Sequence, residues 1–269
     1  MLTNTEVSFT HGTVLTREML EAVYEYPREF MQLQYGGHSD GILYGMDFFQ
    51  RNDELWLGRG IFKAEDRFYF LMDDINLTGL VKKKGLPEGR QQYYFQLEHI
   101  TFSGQACIKK AGFSIAIVDF PPEKYSLGKF CWERNEIRLP QIKSEKESKE
   151  IFSGFFSRAC LSLFDVKHAF REEATYHPFL FRAVCEYLQQ KKQKSMLDYA
   201  LLVQLLNQPI LSMATVCMYC EAAGKSVETK DRQEIFKIFT DCLTIPVAAQ
   251  GIVVKKEKEK VQTHKSRLI

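Results

Sequence analysis

The sequence predicts an α+β protein, with an N-terminal antiparallel module of the β-sandwich or barrel-like kind followed by a C-terminal helical bundle domain. Three observations carry that prediction. Between Gly41 and Leu77, short aromatic-rich runs alternate with tight polar turns. Beyond about residue 145, apolar residues recur at helical rather than strand spacing. Between the two textures, Gln141–Glu150 is a charged stretch that reads as a junction. The expected organisation is a β-rich module with one helix over residues 1–145, a helical domain over 146–250, and a basic tail over 251–269.

In chain order, Thr16 is placed to cap a helix over Arg17–Tyr24, with Met19, Leu20, Val23 and Tyr24 on one face. Pro27 should end or bend it. Ile42–Phe48 reads as a strand, Arg51–Glu54 as a turn, and Leu55–Lys63 as a second strand. The glycines of that second strand suggest a bulge or a close backbone approach. Ala64–Asp66 is a short connection to a third strand over Arg67–Met72. Lys82–Arg90 reads as a polar, basic loop. Further strands are expected at Gln92–Leu97, Gln105–Lys109 and Phe113–Phe120. A closing hairpin is expected across Arg134-Asn135, between Lys129–Glu133 and Glu136–Pro140. Ile151, Phe155, Ala159 and Leu163 recur every four residues and predict the first of five helices. The others are Pro178–Gln190, Met196–Leu206, Ile210–Ala222 and Asp231–Leu243. Pro178 suits a first turn, and Asp231 with Glu234 has capping-box spacing.

Composition narrows the function. The 269 residues are 45% hydrophobic and 13% aromatic, which is too apolar for a disordered chain. Thirty-six basic residues face 34 acidic ones, so no dominant polyanion-binding surface is expected. Six basic and two acidic residues fall in Lys255–Ile269; the rest of the chain holds 30 basic and 32 acidic residues. The start of the chain has no basic region and no apolar run typical of a leader, and no stretch reaches the ~18 apolar residues of a membrane span. Cysteines 107, 131, 160, 185, 217, 220 and 242 are odd in number and irregular in spacing. They read as reduced, buried thiols in a cytoplasmic protein.

No run of residues carries a chemistry. Ala223-Gly224-Lys225-Ser226 resembles the end of a phosphate-binding loop, but the required earlier glycine is Tyr219 and the preceding segment is helical. Gly224 reads instead as a helix C-terminal cap. Cys217-Met218-Tyr219-Cys220 is a lone CxxC with no second ligand pair, so core packing is the expectation. Histidines 11, 38, 99, 168, 177 and 264 form neither HxxxH nor HExxH. Ser153-Gly154 and Ser103-Gly104 lack the pattern around a catalytic serine, and the acid pairs Asp73-Asp74 and Glu172-Glu173 read as solvated turns. No catalytic residue, cofactor or metal is assigned. What stands out is aromatic density, with 21 Phe, 12 Tyr and 2 Trp. Aromatics are enriched in protein–protein contacts. Trp56, Tyr176, His177, Phe179 and Phe181 are therefore the candidate interface residues. The tail residues Lys255, Lys256, Lys258, Lys260, Lys265 and Arg267 form a second, basic feature.

The run His11-Gly12-Thr13-Val14-Leu15-Thr16, a short helix, Asp40–Gly45, Leu55–Phe62 and Tyr69-Phe70-Leu71 resembles the N-terminal β module of phage-tail-like baseplate proteins. A β domain followed by a helical domain is similar to the layout of the TssK baseplate family of type VI secretion, without that family's large C-terminal receptor-recognition domain. The resemblance implies a non-enzymatic structural or adaptor subunit of a contractile injection system. Its partners would be other baseplate or tail subunits, and it would itself form a homo-oligomer, a dimer or trimer. The alternative is a bacterial nucleic-acid-binding or regulatory protein using the Lys82–Lys84 loop and the tail. A hydrolase assembled from residues distant in sequence is a third class.

Overall fold

A computed structural model describes residues 14, 16–89, 91–102, 110–143 and 150–245. The first element is α1 (Arg17–Tyr35). Thr16 caps it, its Oγ1 accepting from the Met19 N–H at 3.2 Å. The helix does not stop at Tyr24 but runs through Pro27 for 19 residues. Proline here removes one intrahelical donor, for the Val23 carbonyl, and Val23 is exposed, so water can replace the lost bond.

Next come β1 (Gly41–Gly45), β2 (Phe48–Arg51), β3 (Glu54–Leu57), β4 (Gly60–Ala64), β5 (Arg67–Leu71) and β6 (Ile75–Asn76). The two long strands expected here are each broken in half. Their first and second halves lie in different sheets, with β1, β4 and β5 in one and β2, β3 and β6 in the other. The break is a shared corner. Gly45 has φ +65°, and a β carbon on it would lie 2.2 Å from the Arg59 carbonyl oxygen. Reciprocal bonds cross the corner, Met46 N–H to Arg59 O at 2.8 Å and Gly58 N–H to Asp47 O at 2.9 Å. The close approach expected from the glycines is therefore present. Two-residue turns close the hairpins: Asn52-Asp53 and Glu65-Asp66 all have positive φ, as a twisted hairpin requires.

The expected Lys82–Arg90 loop begins instead as the end of α2 (Leu77–Lys84). Asn76 caps it, Gly85 ends it at φ +65°, and Leu77 and Val81 bury its inner face. The run of lysines masked that short amphipathic signal. β7 (Gln92–Phe102), β8 (Lys110–Val118) and β9 (Ser126–Cys131) form a third antiparallel sheet in the order β8-β7-β9. The strand expected at Gln105–Lys109 lies outside the described residues. The Arg134-Asn135 turn forms, with a single Glu133–Glu136 bridge, but Arg138 then pairs with Cys160 rather than continuing a hairpin.

The first expected helix of the second half is absent. Only Ser153–Phe156 makes a 3₁₀ turn, and the chain after it runs through turns at 158–159 and 164–165 with isolated bridges at Cys160 and Ser162. A β carbon on Gly154 would sit 2.5 Å from the Gln141 carbonyl oxygen, so that turn is packed against backbone. Phe152, Phe155, Leu161, Leu163 and Phe164 are all buried. Of the four-residue series that predicted the helix, Ile151, Phe155 and Leu163 are buried by core contact without helical winding, and Ala159 is exposed. β10 (Lys167–His168) then joins β1 in parallel, and β11 (Thr175–Tyr176) extends that sheet to the order β11-β10-β1-β4-β5.

Among the described residues four helices follow: α3 (Pro178–Gln190), α4 (Met196–Asn207), α5 (Met213–Ala222) and α6 (Arg232–Thr244). Each has a side-chain cap, from His177, Ser195, Ser212 and Asp231 respectively. Gly224 takes φ +83° just past α5, the role its position suggested. The chain is thus a mixed α+β fold containing several antiparallel sheets. Its buried apolar set is continuous from Ile42 to Leu243. Where sheet meets helices, Phe236 contacts the rings of Phe155, Phe164, Tyr176 and Phe239.

Candidate functional site

Three of the five residues expected at an interface are interior. Tyr176, His177 and Phe181 each have 0% exposure. They sit where β11 passes into α3, and aromatics fill that junction. The Tyr176 hydroxyl donates to the Arg232 carbonyl at 2.6 Å, and the Arg232 guanidinium lies 4.6 Å over its ring. His177 caps α3, its Nδ1 accepting from the Phe179 N–H at 3.2 Å, while Nε2 lies 3.3 Å from the Met46 carbonyl. Burial holds the His177 imidazole down at about 3. Phe179 is half-buried against Phe155. Trp56 is half-buried on β3 opposite Phe49, with the Arg51 guanidinium 5.5 Å over its ring and its indole N–H buried without a partner in the described structure. The six basic tail residues lie outside the described residues. Of the basic loop, Lys82 donates to Glu54 at 2.8 Å and Lys84 to the Ile117 carbonyl, so both ammonium groups are engaged within the fold.

A cleft of about 910 Å³ lies between the β1-β4-β5 sheet and helices α3 and α4. Its sheet wall follows from strand register. Tyr44, Ile61 and Phe70 are cross-strand partners and so share one face. Phe62 and Tyr69, the next pair along, point to the opposite face and pack on Phe113 of β8. One face of the sheet is thereby core and the other bears aromatic residues left largely uncovered. Tyr44 is 74% exposed, Phe70 58% and Met72 71%. Pro178, Arg182 and Cys185 of the α3 side, with Leu205, Pro209 and Ile210, make the facing wall.

Polar groups lie around this apolar surface. Arg182 pairs with Asp47 at 3.4 Å, and the Asp74 carboxylate accepts from the Arg59 N–H at 3.2 Å. His168 and Cys185 both line the cleft. Burial pushes the His168 imidazole down to about 4 and the Cys185 thiol up. A thiolate–imidazolium pair needs both shifts in the reverse direction. Among the described residues no group of three or more His, Cys, Asp or Glu side chains is placed to hold a metal ion. Cys220 of the CxxC is buried in α5 and hydrogen-bonded to Cys242 of α6, as core packing would have it. The cleft is therefore an apolar surface rimmed by the Arg182–Asp47 ion pair and by the hydrogen bond from the Arg59 backbone N–H to Asp74.

Comparison with protein-family models, curated proteins and solved structures returned no match. The reading of the site accordingly rests on its geometry. Sequence reasoning placed Tyr44 and Phe70 in strands without assigning them to a surface. The available signal was Arg67–Met72, where aromatics occupy both faces of one strand.

Proposed function

We propose that this chain is a non-enzymatic structural or adaptor subunit of a phage-tail-like contractile injection system baseplate, working through protein–protein contacts. The observation that supports it is the row Tyr44–Ile61–Phe70, exposed at Tyr44 and Phe70 around a half-buried Ile61, which opens with the exposed Met72 on a cleft of about 910 Å³. Exposed contiguous apolar surface of this kind is costly for a soluble molecule and marks an interaction site. The rimming Arg182–Asp47 ion pair and the Asp74 carboxylate held by the Arg59 backbone N–H would set register, and the central aromatics would supply affinity. In this reading the sheets form the sandwich that mounts on neighbouring baseplate or tail subunits. Helices α3–α6 form the bundle behind it, and the subunit works as a homo-oligomer in a cytoplasmic particle.

The test is affinity purification of the tagged chain from its native cell, with negative-stain microscopy of the eluate. Sheathed or baseplate-like particles are the expected result. The variant Tyr44→Ser/Phe70→Ser should lose them while keeping its folded stability, because both side chains are mostly exposed. A free chain even when the whole locus is expressed, or particles unaffected by the variant, would refute the assignment of the cleft.

A further inference from the structure

Helix α1 carries a second apolar surface, far from the composition of an ordinary solvated helix. Met19, Val23, Tyr26, Phe30 and Leu33 follow one another at steps of four, three, four and three residues, the spacing of a helix seam. Leu20 and Tyr24 widen it on one side. Leu33 is 89% exposed, Tyr24 67%, Phe30 64% and Leu20 53%. From Leu20 to Phe30 every described side chain is exposed, so this part of the helix packs little against the other described elements. Among the described residues, Leu20, Val23, Tyr24, Phe30 and Leu33 keep 49–89% of their surface uncovered, while Tyr26 has a partner within the chain.

We propose that α1 is a self-association arm, its seam packing against the same seam of further copies of this chain. Charge placement selects a second copy over a partner of opposite charge. The helix carries Glu18, Glu21, Glu25 and Glu29 against Arg17 and Arg28, so it is acidic overall. Glu18, Glu21, Glu25 and Arg28 fall on the side away from the seam, and Arg17 is tied to Glu21 at 2.5 Å. Of the seam-flanking positions Leu20, Pro27, Glu29 and Gln34, one is charged. Two copies can meet without bringing carboxylates together, whereas a basic partner would find little charge at the seam to read. The uncovered apolar area is roughly 700 Å² per copy, close to the ~800 Å² per partner of a stable protein interface. Because Leu20 and Tyr24 broaden the seam beyond a two-helix strip, a third arm also has surface to occupy. The proposal deepens the homo-oligomer part of the reading above and rests on it there alone, since the cleft plays no part in it.

The experiment is light scattering coupled to size exclusion on the purified full chain, across a dilution series. The wild type should run at two or three times its 31.3 kDa mass. The variant Val23→Glu/Phe30→Glu should run as a monomer, its self-association weakened about 100-fold or more by charges placed in the seam. It should keep a folded circular-dichroism signature and a cooperative melt whose midpoint no longer depends on protein concentration, because both side chains are solvent-facing in the single chain. Glu25→Lys, on the opposite side of the helix, should leave the oligomer intact. A wild type that is monomeric throughout, or an oligomer that survives the double variant, would overturn the proposal. Loss of the arm's self-association with particle binding retained, or the reverse, separates this inference from the adaptor reading.

Discussion

Asp198 is the residue whose removal the helical layer should tolerate least. Its carboxylate has 0% exposure and accepts three bonds: from Lys191 Nζ at 2.9 Å, the Ser195 N–H at 2.7 Å and the Tyr219 hydroxyl at 2.8 Å. Burial works to raise its pKa, but those donors together outweigh it and hold the carboxyl below its ordinary value. Asp198→Ala leaves the Lys191 ammonium, itself 8% exposed, with only the Leu243 carbonyl at 2.7 Å. An uncompensated buried charge costs about 3–5 kcal/mol. The orphaned Tyr219 hydroxyl and Ser195 N–H add about 1 kcal/mol or more, although such terms do not simply sum. We therefore expect a loss of at least about 4 kcal/mol, read as a lowered midpoint of urea unfolding followed by circular dichroism at pH 7. The double variant Lys191→Met/Asp198→Leu should lose markedly less, because it removes both charges and keeps the volume filled. A loss under about 1 kcal/mol for Asp198→Ala, or a double variant worse than the single, would refute this account.

Two further outcomes are expected. His168 and His177 are held neutral in the folded chain, at about 4 and about 3, against ~6.5 unfolded. The unfolded state therefore binds more protons below pH ~6.5, and stability should fall from there toward pH 4 by up to ~1.4 kcal/mol per pH unit per histidine. His168→Gln/His177→Asn should flatten that part of a melting-temperature profile, and an unchanged slope would count against buried neutral rings. Asp198 acts lower: its depressed pKa stabilises above its unfolded value and is lost as pH falls through the folded one. At the sheet corner, Gly45→Ala should destabilise by about 1–3 kcal/mol in urea unfolding, since a β carbon at φ +65° would meet the Arg59 carbonyl at 2.2 Å; a neutral result would mean that the corner yields easily.

Local chemistry was legible in the sequence wherever neighbours along the chain decide the structure. Thr16, Pro178 and Asp231 marked helix starts because capping and the proline ring act within one turn. Arg51–Glu54, Ala64–Asp66 and Arg134-Asn135 marked turns for the same reason. The fold of Ile151–Leu163 was not legible, because apolar residues at four-residue spacing, such as Ile151, Phe155 and Leu163, look alike whether a helix or a succession of turns buries them. Nor was the sheet corner, where two continuous apolar runs each divide between sheets through contacts with Arg59 and Asp47.

The candidate surfaces divide along the same line. The sequence by itself determined a mixed α+β chain with helix and turn boundaries near where they fall, and a density of aromatics beyond one small core. Only the tertiary structure decided which aromatics face water. Tyr176, His177 and Phe181 are near one another in sequence but are enclosed by residues more than fifty positions away, such as Phe236. Tyr44 and Phe70 meet through Ile61 by strand register, and that register puts them on the uncovered face. Burial depends on long-range packing, and a side chain's neighbours in sequence do not encode it.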